Sequence, residues 1–480
     1  MRLYELLEGK VQTALADIEI TGLTDDSRRV QEGNLFICVK GGSFDGHSVA
    51  AKMLEQGAAA VVAERDLGLG DRQILVENTR AFYGDLCAAW FGHPERRMRF
   101  IGVTGTNGKT TITSVIKHLL TAAGHKVGLI GTIQNEIGDT VVHTENTTPF
   151  VYDMMQLYAQ MADAGCDYVV MEVSSFGLVQ YRIGPTHFET AIFTNLTQDH
   201  LDYHGDMEHY YLAKRMLFDR CDYAVIHTGD DYGKRLYEEI ACEKASYSCC
   251  GRADFYADAI KLRADGTSFW LCHDEKSYQL SLLMTGMFNV ANVTAAVAAG
   301  LRAGLSMEQM LEALADYTGV RGRCEIIPTG KDFTVICDYA HTPDAIENIL
   351  SSVKEYTTGR LMCLFGCGGN RDRTKRPKMA RAAAKYADLL IVTSDNPRDE
   401  DPEAIIAEIL TGLEGSEVPY EIVVDRKEAI FRGMKLAQPG DVLVLAGKGH
   451  EDYQILAGGV HVPMDEREIV KEWLPLLDAE

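Results

Sequence analysis

Short apolar runs alternate with stretches of helical periodicity along most of this chain. From residue 100 the runs fall at 100–103, 126–130, 168–172, 190–194 and 223–227. Each precedes a longer polar–apolar segment, an alternation that predicts a mostly parallel sheet wrapped by helices. A β-rich stretch over 255–284 follows, then an alanine-rich, strongly apolar helix over 289–303. Glycines break the helical pattern at 317–323 (YTGVRGR), and a second alternating set begins beyond them, with runs at 333–337, 361–365, 389–393, 421–424 and 441–445. The first ninety-odd residues read as a smaller α/β unit, with strands at 34–39 and 59–63, a helix over 49–56 and a charged, proline-bearing linker at 91–99 (FGHPERRMR). The pattern therefore predicts an α/β chain of three domains, 1–95, 96–319 and 320–480.

The central set opens on a pointed chemical signal, RFIGVTGTNGKTT at 99–111. An apolar strand breaks into a loop of Gly105, Thr106, Asn107 and Gly108, and Lys109, Thr110 and Thr111 then start a helix. Bare glycines let backbone N–H groups close around phosphate oxygens, and the helix dipole favours their charge. Lys109 supplies a cation to the outer phosphates, and the Thr110 hydroxyl can reach Mg²⁺. Val103 stands five before Gly108, where the common phosphate loop has glycine, so a different class of phosphate loop is expected. A plain glycine-rich strand-to-helix turn is the weaker reading.

Composition narrows the function. At 480 residues the chain exceeds one core, and 46% hydrophobic residues fit a well-filled globular protein. A formal net charge of −23 argues against binding a nucleic-acid backbone. The twelve cysteines lack framework spacing and read as reduced thiols, with no paired CxxC set for zinc. The N-terminus, MRLYELLEGKVQ, does not read as a secretory signal, and no apolar run reaches membrane-spanning length.

Polar groups cluster at the predicted strand ends. Glu172 closes the run YVVME ahead of Ser174 and Ser175, and Asp199 and His200 follow FTNLTQ. Each alone would be a cap or turn residue. Together beside a phosphate loop they are candidate Mg²⁺ ligands. Lys214, in HYYLAKRMLF, is either a solvated helix lysine or one whose stem packs among Tyr210, Leu217 and Phe218. In the second set DYAHTPD (338–344), GCGGNRDRTKRP (366–377) and DNPR (395–398) follow strands. Arg371 and Arg398 read there as anion receptors, whereas Arg373 reads as a loop arginine paired with a neighbouring carboxylate.

These motifs together resemble the Mur ligase family, the ATP-dependent amino-acid ligases of bacterial cell-wall synthesis. The resemblance runs nearly the whole chain: DDSR at 25–28, DGH at 45–47, the phosphate loop, ENTTP at 145–149, MEVSS at 171–175, NLTQDHLDYH at 195–204, the Lys214 helix, GMFNVANVTAA at 286–296, GR at 322–323, the three C-terminal motifs, DR at 425–426 and AGKGHEDYQ at 446–454. Within the family the chain is similar to enzymes of the third amino-acid-adding step. The resemblance implies a P-loop-type central domain, a Rossmann-like C-terminal domain and a small uridine-nucleotide-binding N-terminal domain.

It also implies roles. Ser27, Gly42, Ser43 and Phe44 would hold the uridine nucleotide, and Asn146, Thr147, Thr148, Ser174, Gln180 and Arg182 the muramoyl-dipeptide. ATP would lie on 105–111 with Asn289, Asn292, Arg323 and Asp338. Lys214 would be carbamylated and join Thr110, Glu172 and His200 around Mg²⁺. Arg371, Asp395, Asn396, Pro397, Arg398, Gly447 and Glu451 would take the incoming amino acid. ATP would phosphorylate the D-glutamyl γ-carboxylate, and an amine would displace phosphate from the acyl phosphate. Diaminopimelate has a distal carboxylate that lysine lacks, and Arg398 in DNPR matches it. The expected partners are these small molecules alone, for a monomeric cytoplasmic enzyme.

Two residues depart from the family pattern: Phe176 stands where His is common, and Arg321 where proline is usual, which would loosen the hinge. Four other readings compete. A lysine-adding ligase is disfavoured by DNPR, a folylpolyglutamate-like ligase by DDSR and DGH, a mechanical ATPase by the receptor arginines, and a non-catalytic ATP-binding paralogue by retention of Lys109, Glu172, His200, Lys214 and Arg398.

Overall fold

Four short strands, β1 (Gly22–Thr24), β2 (Asn34–Ile37), β3 (Ala60–Ala63) and β4 (Gln73–Leu75), form a parallel sheet in sequence order. The structure is a computed structural model that describes residues 1–42, 44–144 and 146–478. The predicted strands at 34–39 and 59–63 are present, and β1 and β4 join them. Three residues each are too few for a periodicity to show. Residues 91–99 are well tied down. The His93 ring meets Glu8 at 2.6 Å and Glu95 at 2.9 Å, and Arg97 pairs with Asp163 at 2.9 Å.

The predicted central sheet follows. Its strands are β5 (Arg99–Thr104), β6 (Val127–Ile130), β7 (Asn135–Ile137), β8 (Thr140–Val142), β9 (Tyr168–Glu172), β10 (Phe188–Phe193), β11 (Cys221–His227) and β12 (Glu243–Ser248). The parallel core runs β11-β10-β5-β9-β6, and the β7–β8 hairpin adds antiparallel at its edge. All five residues of β9 are buried, so it reads as an unbroken apolar run rather than an alternation. The chain leaves β5 toward one side of this sheet and β10 toward the other. Their adjacent carboxyl ends are thus a topological switch point, where open α/β sheets bind ligands.

The chain divides into two units, 1–245 and 246–480. In the second, β13 (Phe255–Arg263), β14 (Gly266–His273) and β15 (Lys276–Leu282) form an antiparallel meander, and the helix Met287–Arg302 follows. The last sheet contains β16 (Glu325–Ile327), β17 (Thr334–Asp338), β18 (Leu361–Phe365), β19 (Leu389–Val392), β20 (Tyr420–Ile422) and β21 (Val442–Ala446), ordered β16-β17-β21-β18-β19-β20. All its pairings are parallel except β16–β17. Helices Pro343–Lys354, Lys375–Tyr386 and Pro402–Leu410 cover one face, and Arg426–Leu436 and Glu466–Trp473 the other. The hairpin β22 (Tyr453–Leu456) and β23 (Val460–Pro463) follows β21.

Arg321, at the break over 317–323, pairs with Asp465 at 2.5 Å. Gly322 next to it has φ +70°, and a Cβ there would overlap the His450 amide. Among the described residues no helix is long and apolar enough to cross a membrane.

Candidate active site

The phosphate loop is built from its neighbour strand as much as from itself. Register pairs Phe193 of β10 with Thr104 of β5, so Thr194 and Asn195 emerge beside Gly105. Gly105 sits at φ +146°, and a Cβ there would overlap Thr194 Oγ1, so only glycine fits. Thr194 Oγ1 donates to Asn107 O at 2.6 Å, Asn195 Oδ1 accepts from Asn107 N at 3.0 Å, and Thr106 N donates to Asn195 O at 2.9 Å. Gly108 caps the helix Lys109–Ala122 at φ +90° with no side chain over the first turn. Thr110 and Thr111 stand in that turn, where helix N–H groups lack intrahelical acceptors.

Two amines meet at one carbonyl. Gly105 O accepts from Lys109 Nζ at 2.9 Å and from Lys214 Nζ at 2.8 Å, and Lys109 Nζ also reaches Thr106 O at 2.8 Å. Lys214 lies on the helix Met207–Arg215 and is 2% exposed, with its Nζ 4.5 Å over the Tyr210 ring. The question of a solvated or packed lysine is thereby answered. It forms no ion pair among the described residues. Burial first, then the Lys109 charge, hold its amine well below the ordinary lysine range.

Glu172 ends β9 opposite Val103 and is buried. Its Oε1 accepts from Thr132 N at 2.9 Å and its Oε2 from Thr132 Oγ1 at 2.9 Å. Thr132 Oγ1 also meets Thr147 Oγ1 at 3.0 Å. Sequence reasoning missed Thr132, though its place just past the apolar run 126–130 was a signal.

His200 takes a left-handed conformation, φ +53°, and its ring nitrogen is 3.4 Å from Asp199. Phe176, the departure from the family pattern, lies edge-on to His200 at 5.1 Å and packs on Tyr203 at 4.3 Å. It serves as an aromatic wall for that turn. No hydrogen bond or ion pair joins Glu172 to His200, and no cluster of three or more His, Cys, Asp or Glu side chains stands ready for a metal among the described residues. With Lys214 a bare amine beside Lys109, the set Thr110, Glu172, His200 and Lys214 suits a divalent cation poorly. A carbamate on Lys214 would put an anionic oxygen donor where the amine stands, which is the chemistry such a set needs. Burial pushes the thiols of Cys363 and Cys367 up to about 12.

The predicted dipeptide residues converge. Thr148 Oγ1 donates to Glu172 O at 3.0 Å and accepts from Ser174 N at 3.0 Å, and Ser174 Oγ caps the helix Ser175–Val179. Arg182 donates to Thr148 O at 2.9 Å and to Gln180 Oε1 at 2.8 Å, and lies 4.0 Å over the Phe150 ring. It forms no ion pair among the described residues, which leaves its charge for an anion. Asn146 O accepts from Thr144 Oγ1 at 2.8 Å. In the N-terminal sheet, Phe44 is 49% exposed beside Gly42 in a turn closed by Gly41 N to Phe44 O at 2.7 Å. Ser27 lies in the turn after β1, and Ser43 lies outside the described residues. The DGH histidine is structural, since buried His47 binds Asp45 at 2.6 Å and the Glu64 amide at 3.0 Å.

In the second unit, register sets Asp338 beside Ala446 and Phe365 beside Val392, so the tips of β17, β21, β18 and β19 adjoin. Asp338 accepts from Cys324 N at 2.7 Å and Ala340 N at 2.8 Å, and Arg323 lies 5.0 Å over the Tyr339 ring. Asn289 and Asn292 are buried on the helix Met287–Arg302, with Asn292 Nδ2 donating to Asn289 Oδ1 at 3.3 Å.

The glycine loop and DNPR lock together. Gly369 N donates to Asn396 O at 2.9 Å, and a Cβ on Gly369 would overlap Pro397 O. Arg398 takes φ +52° and donates through Nη1 to Gly369 O at 3.0 Å. Neither it nor Arg371 forms an ion pair among the described residues. Arg373 pairs with Glu400 at 2.7 Å, so the pairing is as expected and the partner is new. A Cβ on Gly447 would approach Asp395 Oδ2 to 2.5 Å. Asn396 Nδ2 donates to Glu451 Oε2 at 3.0 Å.

A phosphate loop at one switch point and a charged receptor at a second set of strand tips define a nucleotide-dependent ligase class of α/β protein. Family models agree with this assignment: the Mur ligase middle domain matches residues 103–300, the Mur ligase glutamate ligase domain 322–449, and the Mur ligase family catalytic domain 19–90. A Bacillus cereus protein named UDP-N-acetylmuramoyl-L-alanyl-D-glutamate–2,6-diaminopimelate ligase is 43% identical over 95% of this chain and 94% of its own. One of the same name from Syntrophomonas wolfei is 42% identical over 99% of each. A solved structure bearing that name superposes with a TM-score of 0.75 at 31% identity, over 100% of this chain and 99% of its own. The chain belongs to the Mur ligase family, whose members are ATP-dependent ligases.

Proposed function

We propose that this chain joins meso-2,6-diaminopimelate to the D-glutamyl γ-carboxylate of UDP-N-acetylmuramoyl-L-alanyl-D-glutamate, with hydrolysis of ATP to ADP and phosphate, in peptidoglycan precursor synthesis. The observation that carries the amino-acid choice is Arg398, a rigidly seated guanidinium with no carboxylate partner among the described residues. The name shared by the relatives supports the same choice. The three matched segments support domains at 1–95, 96–319 and 320–480, which hold uridine nucleotide, ATP and amino acid in turn. The enzyme acts in the cytoplasm as a monomer, without nucleic acid or membrane.

The phosphate loop, 105–111, binds ATP in this reading, with Asn289, Asn292, Arg323 and Asp338 on the rest of the nucleotide. Ser27, Gly42, Ser43 and Phe44 take the uridine nucleotide, and Asn146, Thr147, Thr148, Ser174, Gln180 and Arg182 the muramoyl-dipeptide. An oxygen of the substrate γ-carboxylate attacks the γ-phosphorus of ATP, the bond to ADP breaks, and an acyl phosphate results. Lys109 neutralises charge as it moves from attacking to leaving oxygen. The diaminopimelate amine, held by Arg371, Asp395, Asn396, Pro397, Arg398, Gly447 and Glu451, adds to the acyl carbon. The tetrahedral intermediate expels phosphate, and the new amide forms as the nitrogen loses its proton.

Lys214 is carbamylated here. A depressed amine loses its proton readily and is nucleophilic when neutral, so it adds to CO₂ and releases one proton, leaving an anionic carbamate. Thr110, Glu172, His200 and that carbamate would hold Mg²⁺, which supplies charge neutralisation to the phosphates.

One assay tests the reading. Purified protein with ATP, Mg²⁺ and the UDP-muramoyl-dipeptide should release phosphate only when an amino acid is added. Diaminopimelate should support turnover where lysine and ornithine do not. Equal turnover with lysine would defeat the Arg398 argument.

A further inference from the structure

We infer that Lys448 is a positioning residue that fixes which face of the Asn396 amide meets the amino-acid substrate. This rests on the diaminopimelate reading above. Lys448 is fully buried, 0% exposed. Its Nζ donates to Asn396 Oδ1 at 2.7 Å and to Glu451 Oε2 at 2.8 Å. Ile455 N donates to the same Asn396 Oδ1 at 2.9 Å, which fills both lone pairs of that oxygen. Across the amide, Nδ2 spends one N–H on Glu451 Oε2 at 3.0 Å. Its second N–H has no acceptor among the described residues.

A primary amide can occupy its place in two orientations that exchange oxygen for NH₂. At Asn396 the exchanged orientation is forbidden by its neighbours. It would set an NH₂ against an ammonium and a backbone N–H, and a carbonyl oxygen against a carboxylate. Each attraction would become a repulsion. The ammonium is the strongest of the three restraints, because it adds a full positive charge to donors that cannot accept. A neutral apolar side chain at 448 would remove the charged restraint and leave the Ile455 amide and Glu451, which brings the two orientations closer in energy.

The consequence is a fixed charge order. Asn396 can offer the substrate only N–H. Glu451 has Oε2 occupied by Lys448 and Asn396, so it offers Oε1, whose other contact is the Tyr339 hydroxyl at 3.5 Å. Alongside the Arg398 guanidinium, donors thus face a carboxylate and one acceptor faces an ammonium. That is the order of an amino-acid zwitterion such as the distal centre of diaminopimelate. A rotated Asn396 would offer a carbonyl, which accepts from the lone ammonium of a lysine side chain. Lys448 therefore acts on specificity without touching substrate.

Steady-state kinetics of the full chain test this. Lys448→Met should raise KM for diaminopimelate about tenfold or more and lower the diaminopimelate-to-lysine ratio of kcat/KM to match, with KM for ATP within about twofold of wild type. Added to Asn396→Ala, Lys448→Met should change little further, because the two act as one unit. Additive effects, or a folded Lys448→Met enzyme with wild-type KM and ratio, would overturn the proposal. If Lys448→Met fails to fold, Asn396→Asp carries the test. It keeps an oxygen for Lys448 but has no N–H to offer and sets its second oxygen against Glu451, so KM for diaminopimelate should rise while KM for ATP stays within about twofold of wild type. An unchanged KM there overturns the proposal. A wild-type chain that releases no phosphate with diaminopimelate sinks the underlying reading and this one together. An active wild type with unaffected variants sinks this one alone.

Discussion

Lys214 shows how one buried residue links stability to chemistry. The unfolded chain keeps the proton that the folded site rejects, so unmodified Lys214 opposes folding at neutral pH. That opposition fades as pH rises from its depressed value toward the ordinary lysine range. In CO₂-free buffer the stability of wild type relative to Lys214→Met should therefore climb between pH 7 and pH 10, as read from urea midpoints. A flat difference would contradict the depressed amine. Lys214→Ala should abolish ligase activity, and short carboxylates should restore part of it. Full activity in that variant would sink the carbamate. Gly105→Ala should destabilise the fold by about 2 kcal/mol and abolish ATP binding in calorimetry, because its methyl and Thr194 Oγ1 claim the same space.

Among the elements, the long buried strands were legible in the sequence and the short exposed ones were not. The runs at 168–172 and 361–365 match β9 and β18 residue for residue, since a fully buried strand is written as an unbroken apolar run. The hairpins β7–β8 and β22–β23 escaped notice because their strands are three or four residues long and mostly polar or half-exposed. Site chemistry divides in the same way. Lys109, Glu172 and Arg398 were visible because they stand at or just past strand ends. The position of Thr132 past a strand was visible, but its partner Glu172 and the role of Lys448 were not, because each contact is distant in sequence. The DR motif at 425–426 proves architectural: Asp425 caps the helix Arg426–Leu436, and Arg426 pairs with fully buried Glu466 at 2.8 Å. Arg426→Met should cost ~3–5 kcal/mol, since it strands a buried carboxylate, and urea unfolding measures it. A loss under 1 kcal/mol would show that water reaches Glu466.

For the molecule as a whole, the net charge of −23 and the functional sites pull in different directions. The acidic surface disfavours polyanions, while Arg182 and Arg398, which form no ion pair among the described residues, would suit small ones. Ligands that bind only the native state should then raise stability by mass action. At a hundredfold excess over its Kd, an ATP analogue should add about 2.7 kcal/mol, seen as a rise in melting temperature. The UDP-muramoyl-dipeptide should give a rise of its own when added alone. No rise with either ligand would mean that neither is bound.

The carbonyl of Gly105, shared by two amines, has a consequence for supply. If the Lys214 amine is completed by CO₂, dissolved inorganic carbon becomes a reagent that the protein must collect before it can work, as surely as it must collect nucleotide. Enzyme degassed and dialysed free of bicarbonate should lose activity slowly and regain it when bicarbonate returns, with no change in chain or substrate. Cell-wall assembly would then draw on the same carbon pool that growing cells respire into.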